Sequence, residues 1–139
     1  MPKQALIVGV DISKAHLDLA DTTSRPPWRI ANSADAIAEL IEDLQADPPD
    51  LVVLEATGGY ETALVIALQA AAVPVALINP RQIRDFARAT GQLAKTDALD
   101  ARIIARFGVA VRPAPLPPIE AGQEAFAGLV ARRRQIIDM

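Results

Sequence analysis

Four carboxylates sit at the points of this chain where chemistry is most easily assembled. Asp11 closes the apolar run Ala5-Leu6-Ile7-Val8-Gly9-Val10, and Glu55 closes Leu51-Val52-Val53-Leu54. Asp97 and Asp100 lie three apart in Lys95-Thr96-Asp97-Ala98-Leu99-Asp100-Ala101-Arg102. A strand buried on both faces reads as a continuous apolar run. An acid placed where such a run stops falls at the carboxyl end of a strand, where open α/β sheets build their sites. Carboxylates that converge there repel one another unless divalent cations neutralise them. Mg²⁺, a hard ion that takes oxygen ligands, suits such a set, with Mn²⁺ as a substitute. The chemistry expected is two-metal phosphodiester cleavage, in which ions roughly 4 Å apart serve the attacking and the leaving oxygen.

The elements that must position these acids follow from the patterning. Residues 5–11 read as a strand, and His16 to Asp21 alternates apolar and polar with period two. The short turn Ile12-Ser13-Lys14-Ala15 fits a hairpin. Trp28 to Asn32 is a third strand after the Arg25-Pro26-Pro27 break. Ser33 is an N-cap for a helix carrying Ile37, Leu40, Ile41 and Leu44 at helical spacing. Leu51 to Glu55 is the fourth strand, followed by a Thr57-Gly58-Gly59 turn and a second helix. Val73 to Ile78 is the fifth strand. Asn79 caps a third helix with Pro80 in its first position, and residues 97–107 form a fourth, with Asp97 as N-cap and Asp100 as third helical residue. This order predicts an α/β fold with a mixed five-stranded sheet flanked by helices, the ribonuclease H topology. In that topology strands one and four lie side by side and the last helix supplies a further acid. Asp11, Glu55 and Asp97 with Asp100 fall at those three places.

The chain has 139 residues, enough for one domain with an appended helix. We expect a domain over 1–110, a proline-rich linker over 111–118, and a helix over 119–139 that begins a coiled coil. That helix is patterned to the last residue without a stop signal, so the chain reads as the N-terminal part of a longer protein. Its apolar stripe, Phe126, Leu129, Val130 and Ile136 or Ile137, predicts a homo-oligomer. There are no cysteines and one histidine, which leaves neither disulfides nor a zinc site. No apolar stretch is long enough to span a membrane, and no signal peptide is visible, so the expected compartment is the cytoplasm.

The net charge of −3 conceals two unlike halves. Residues 1–80 carry four basic side chains against eleven acids, a charge of −7. Residues 81–139 carry ten against six, a charge of +4. A basic half suggests a phosphate-bearing partner, although a solvated helical surface would read the same way. Arg81, Arg84 and Arg88 share a helix face, and Lys14, Lys95 and Arg102 lie beside the acids; all six are candidate nucleic-acid contacts. Taken singly, each acid also has an ordinary structural reading: an Asx-turn for Asp11, a cap or ion pair for the others. Their joint placement favours the metal-binding reading.

Several stretches resemble the DEDD insertion-sequence transposases, the IS-one-ten and Piv invertase family. They are Val8 to Lys14 with Leu17-Asp18, Leu54 to Glu61, Val75 to Ala87, and Gly91 to Ala101. The resemblance implies a RuvC-like domain whose four acids, Asp11, Glu55, Asp97 and Asp100, bind Mg²⁺ for DNA strand cleavage and exchange. It further implies a second domain with a nucleophilic serine, and in many members a structured guide RNA that pairs with DNA. The final helix, with Arg132-Arg133-Arg134, matches the start of the family's coiled coil. The alternatives are an actin-like or sugar-kinase ATPase half, a stand-alone Holliday-junction resolvase, and a non-catalytic RNA-binding module. The kinase reading needs a glycine-rich phosphate-binding hairpin after Asp11, and Ile12 to His16 has no glycine.

Overall fold

The computed structural model describes residues 5–91 and 99–117. Five strands form one sheet: β1 (Ile7–Ile12), β2 (His16–Asp21), β3 (Trp28–Ala31), β4 (Leu51–Glu55) and β5 (Val75–Ile78). Their order across the sheet is β3-β2-β1-β4-β5. The hairpin strands β1, β2 and β3 pair antiparallel, and β1–β4 and β4–β5 pair parallel. The helices are α1 (Ala34–Ala46), α2 (Thr62–Ala70), α3 (Pro80–Ala89) and α4 (Ala101–Val111). This is the predicted mixed sheet with helices on its faces. Among the described residues no helix is long and apolar enough to cross a membrane.

Strand alternation divides the core in two. Val8, Val10, Ile12, Val52 and Leu54 face α1 and α2, meeting Ile37, Leu40, Leu44, Leu64 and Leu68. Ile7, Leu51 and Val53 face the other way, toward Ile83 of α3 and Ile103, Ile104 and Phe107 of α4. Both β1 and β4 are buried on two sides, which is why they read as unbroken apolar runs.

The helix starts follow local chemistry. The Ser33 hydroxyl accepts the Ala36 N–H at 3.2 Å, and the Asn79 side chain accepts the Arg81 N–H at 2.8 Å with Pro80 at the first position. The fourth helix begins later than its sequence suggests. Asp100, not Asp97, is its N-cap, with extended backbone and a side-chain oxygen that accepts the Ile103 N–H at 3.0 Å. Gly9 lies so close under α4 that a Cβ there would meet the Ala101 carbonyl oxygen and the Ala105 nitrogen at 2.4 Å. Ala101 and Ala105 therefore lie against the sheet, and the Asp100 cap sets the first turn at Ala101. Asp97 lies outside the described residues, and Asp100 precedes the helix, so the two are not third neighbours on one helical face.

The helix ends at Val111, where Arg112 takes a left-handed conformation with φ 50°. Beyond it the proline-rich stretch is fastened to the domain. The Leu116 N–H donates to the Val75 carbonyl at 2.7 Å, Gln69 Nε2 donates to the Pro117 carbonyl at 3.1 Å, and Leu116 packs against the core. The expected helix over 119–139 lies outside the described residues.

Candidate active site

Asp11 and Glu55 owe their meeting to register. Val10 pairs with Leu54 in the parallel β1–β4 ladder, so the next residues, Asp11 and Glu55, stand side by side at the ends of adjacent strands. Alternation turns both to the side of the sheet that α4 covers. Each is half-buried, and their carboxyl groups approach within hydrogen-bonding reach of one another. Burial raises the Asp11 pKa above the ordinary carboxylate value, and the charges of Asp18 and Asp100 raise it further. Burial likewise raises Glu55, with Asp11's charge adding to the effect and Arg84's opposing it. Glu55 Oε2 is buried with no hydrogen-bond donor among the described residues. Two carboxylates this close can share a single proton, or they can share a cation.

The ladder continues to either side. Asp18 of β2 pairs directly with Asp11, and Arg29 of β3 pairs with Asp18. Arg29 grips Asp18 with two hydrogen bonds, Nε to Oδ1 at 2.7 Å and Nη2 to Oδ2 at 3.2 Å. Asp18 and Arg29 thus extend the polar row beyond the predicted acids. Sequence spacing alone does not reveal them, because their proximity depends on the hairpin register. The signal available was the period-two pattern that puts Asp18 on the polar face of β2.

Asp100 approaches from α4. It is exposed, its charge acts on Asp11, and one of its oxygens is engaged as the helix cap. Among the described residues no three carboxylates stand close enough to hold one ion together. Asp97 and Lys95 lie outside the described residues. What is present still has the right chemistry for a hard divalent cation: oxygen donors only, crowded enough to resist joint ionisation, with one buried oxygen lacking a donor.

The candidate basic contacts separate into groups. Lys14 is exposed on the β1–β2 turn, and Arg81 is exposed on α3. Arg84 is half-buried and its charge reaches Glu55, so it serves the acids and not only the surface. Arg88 pairs with Asp85 at 3.8 Å, an acid on its own helix. Arg102, exposed on α4, borders a depression of about 310 Å³ together with Asp18, Trp28, Arg29 and Asp100.

Two loops leave the site, one after each central acid. In the β4–α2 loop, the Glu61 carboxylate accepts the Thr57 N–H at 3.1 Å, the Thr57 hydroxyl at 2.6 Å and the Gly59 N–H at 3.1 Å. Burial alone would raise the Glu61 pKa, but these donors outweigh it and hold it below the ordinary value. Asn32 bridges the two loops. Its Nδ2 donates to the Ser13 carbonyl of the β1–β2 turn at 2.9 Å and to the Tyr60 carbonyl of the β4–α2 loop at 3.1 Å.

Residues 8–139 match the transposase family of the DEDD, IS110 type. The chain belongs to that family. It is also similar to a pilin gene-inverting protein of Moraxella lacunata, 28% identical over 141 residues. That match takes in 94% of this chain and 44% of the relative, so the chain spans less than half the length of the curated relative it matches. Among solved structures it resembles Thermus thermophilus RuvC, with a TM-score of 0.50, 21% identity, and coverage of 81% of this chain and 83% of that one. The transposase chain therefore has the RuvC-like, ribonuclease H-like fold that its strand order predicted. A second solved structure, T. thermophilus RuvC in complex with a Holliday junction substrate, covers 88% of the chain at 18% identity and a TM-score of 0.49.

Proposed function

We propose that this chain is the RuvC-like catalytic part of a DNA transposase or recombinase, and that it cleaves DNA strands with Asp11, Glu55, Asp97 and Asp100 as ligands to Mg²⁺. The observation that carries the proposal is the side-by-side placement of Asp11 and Glu55, with an orphaned Glu55 oxygen, at the carboxyl ends of the two central strands. Bound divalent ions would polarise the scissile phosphate and lower the pKa of the attacking hydroxyl or water. Asp11, on the central strand, and Glu55 beside it would be ligands to these ions, and the Arg84 charge opposes the build-up of negative charge at Glu55. Asp100, whose charge acts on Asp11, and Asp97 would be the further ligands.

DNA is the proposed substrate, and a structured guide RNA the proposed partner, with sequence choice left to base pairing. A protein of that kind needs mainly backbone contacts, which Lys14, Arg81, Arg84, Arg88, Lys95 and Arg102 would supply. A serine nucleophile would come from a separate domain, and residues 119–139, with the apolar stripe expected to form a helix, would pair subunits.

The test is a thermal melt across a Mg²⁺ titration, run beside a cleavage assay on branched DNA. An ion that binds the native acids and not the unfolded chain raises the melting temperature with concentration. Asp11→Asn should remove most of that rise and the cleavage with it. A melting curve that ignores Mg²⁺ and Mn²⁺ would overturn the metal assignment.

A further inference from the structure

Asp11 has a carboxylate on each side of it. In the sheet order β3-β2-β1-β4-β5, Glu55 of β4 flanks it on one side. Asp18 of β2, its direct partner in the antiparallel ladder, flanks it on the other. Adjacent strands lie about 4.8 Å apart, so strand spacing brings both neighbours within similar reach. Directly opposed residues of an antiparallel pair point to the same face, and like charges there repel. The charge of Asp18 does act on Asp11. A cation at Asp11 therefore has two flanking carboxylates to choose between.

The two flanks differ in their partners. Glu55 Oε2 is buried with no hydrogen-bond donor among the described residues. Asp18 has both oxygens taken: Arg29 Nε donates to Oδ1 at 2.7 Å and Nη2 to Oδ2 at 3.2 Å. This two-pronged grip suits the planar guanidinium, and a lysine ammonium cannot reproduce it. Arg29 is the cross-strand partner of Asp18, so the β2–β3 register delivers it there. Its charge reaches past Asp18 to Asp11. Both side chains are largely open to solvent, 60% for Arg29 and 37% for Asp18, and such a pair adds little to stability. What the pair does change is which acid can offer charge and lone pairs to a cation. Asp100 lines the same depression as Asp18 and Arg29, so a freed Asp18 would draw an ion there and away from Glu55.

Resting on the Mg²⁺ reading above, we propose that Arg29 is a positioning residue for the metal: by withholding Asp18, it confines the divalent cation to the Asp11–Glu55 side. Asp18 is then a neighbour of the ion's site and not a ligand in it. Without the guanidinium, Asp11 and Asp18 form a second carboxylate pair that holds an ion independently of Glu55.

The experiment follows the melting temperature of the 139-residue chain across a Mg²⁺ titration, since an ion bound by the native chain raises it with concentration. Wild type should respond, and Glu55→Gln should not. Adding Arg29→Gln to Glu55→Gln should restore a rise, because Asp18 becomes available to share the ion with Asp11. A further Asp18→Asn in that chain should remove the rise again. A merely loosened fold would lower the melting temperatures without bringing back a Mg²⁺ response. In the otherwise wild-type chain, Asp18→Asn/Arg29→Gln exchanges one neutral pair for another and should leave the Mg²⁺ midpoint within about twofold. A larger weakening would mean that Asp18 itself serves the ion, and would overturn the assignment. If Glu55→Gln/Arg29→Gln melts too early, a calorimetric Mg²⁺ titration in the cold gives the same reading. A wild type that responds beside a double variant that does not would overturn the role of Arg29 and leave the metal reading standing. A response that survives Glu55→Gln alone would place the ion on the Asp18 side already, and would overturn that role too. A wild type that ignores both Mg²⁺ and Mn²⁺ would overturn the metal reading, and Arg29 with it.

Discussion

Glu55 is held where its charge is a burden unless a cation meets it. Burial and Asp11 both disfavour its ionised form, and one of its oxygens has no donor among the described residues. Glu55→Gln should therefore make the metal-free fold slightly more stable at neutral pH. The gain should stay below about 1 kcal/mol, because the side chain is half-exposed and solvent screens it. The same substitution should abolish stabilisation by Mg²⁺. Paired melts with and without the ion check both, and a variant that still gains from Mg²⁺ would place the ion elsewhere. Glu61 behaves in the opposite sense. Its folded pKa is depressed by the donors of Thr57 and Gly59. Its contribution is therefore present above its ordinary pKa of 4.5 and is lost as the pH falls through the lower folded value. Between about pH 6 and about pH 3, wild type should lose more stability than Glu61→Gln does. Parallel acid limbs for the two would show that the loop does not depend on this carboxylate.

At the level of elements, the contact between β1 and α4 sets how near Asp100 comes to Asp11. The obstacles around Gly9 are backbone atoms of α4, whereas those around Gly108 are the methyl groups of Ile7 and Val53 at 2.7 and 2.8 Å. Side-chain methyls can shift and a helix backbone cannot, so Gly9→Ala should cost about 3 kcal/mol or more and Gly108→Ala less. Chemical denaturation ranks them, and the reverse order would mean that the helix tilts with ease. This contact also marks where the sequence stops being legible. Strands, hairpins and the caps at Ser33 and Asn79 could be read directly, since each follows from local spacing. The start of α4 could not. Asp97 with Asp100 three residues on satisfies a local capping pattern, yet it is the Asp100 side chain that caps the helix, a choice between two acids that local spacing leaves open. The place of the Asp18–Arg29 pair beside Asp11 was hidden for a similar reason, because it needs the register of two hairpins at once. Leu116 was read as part of a proline-rich linker; its anchor is the distant Val75 carbonyl.

Across the whole molecule, positive charge is divided between two tasks. Arg84 moderates the acids, while Arg81 is exposed on the same helix. Arg81→Ala should reduce the salt slope of DNA binding by about 0.9 and leave the Mg²⁺ response alone. Arg84→Ala should shift the Mg²⁺ concentration needed for stabilisation. Anisotropy and melting titrations separate these effects, and identical profiles for the two variants would refute the division. The acidic half and the basic half of the chain, visible as a simple charge count, thus meet at one end of the sheet, where the proposed cation site and the proposed phosphate contacts adjoin.

Asn32 belongs to neither strand that bears an acid, yet its side-chain amide spans the turns that follow both. With Nδ2 shared between the Ser13 and Tyr60 carbonyls, the two rims of the cleft are yoked and must move as one piece. Slack introduced there would leave the core intact and blur only the spacing between the carboxylates. Asn32→Ala should consequently lose about 1 kcal/mol or less of overall stability, while amide hydrogen exchange speeds up in both rims together. Faster exchange in one rim alone would show that they were never coupled.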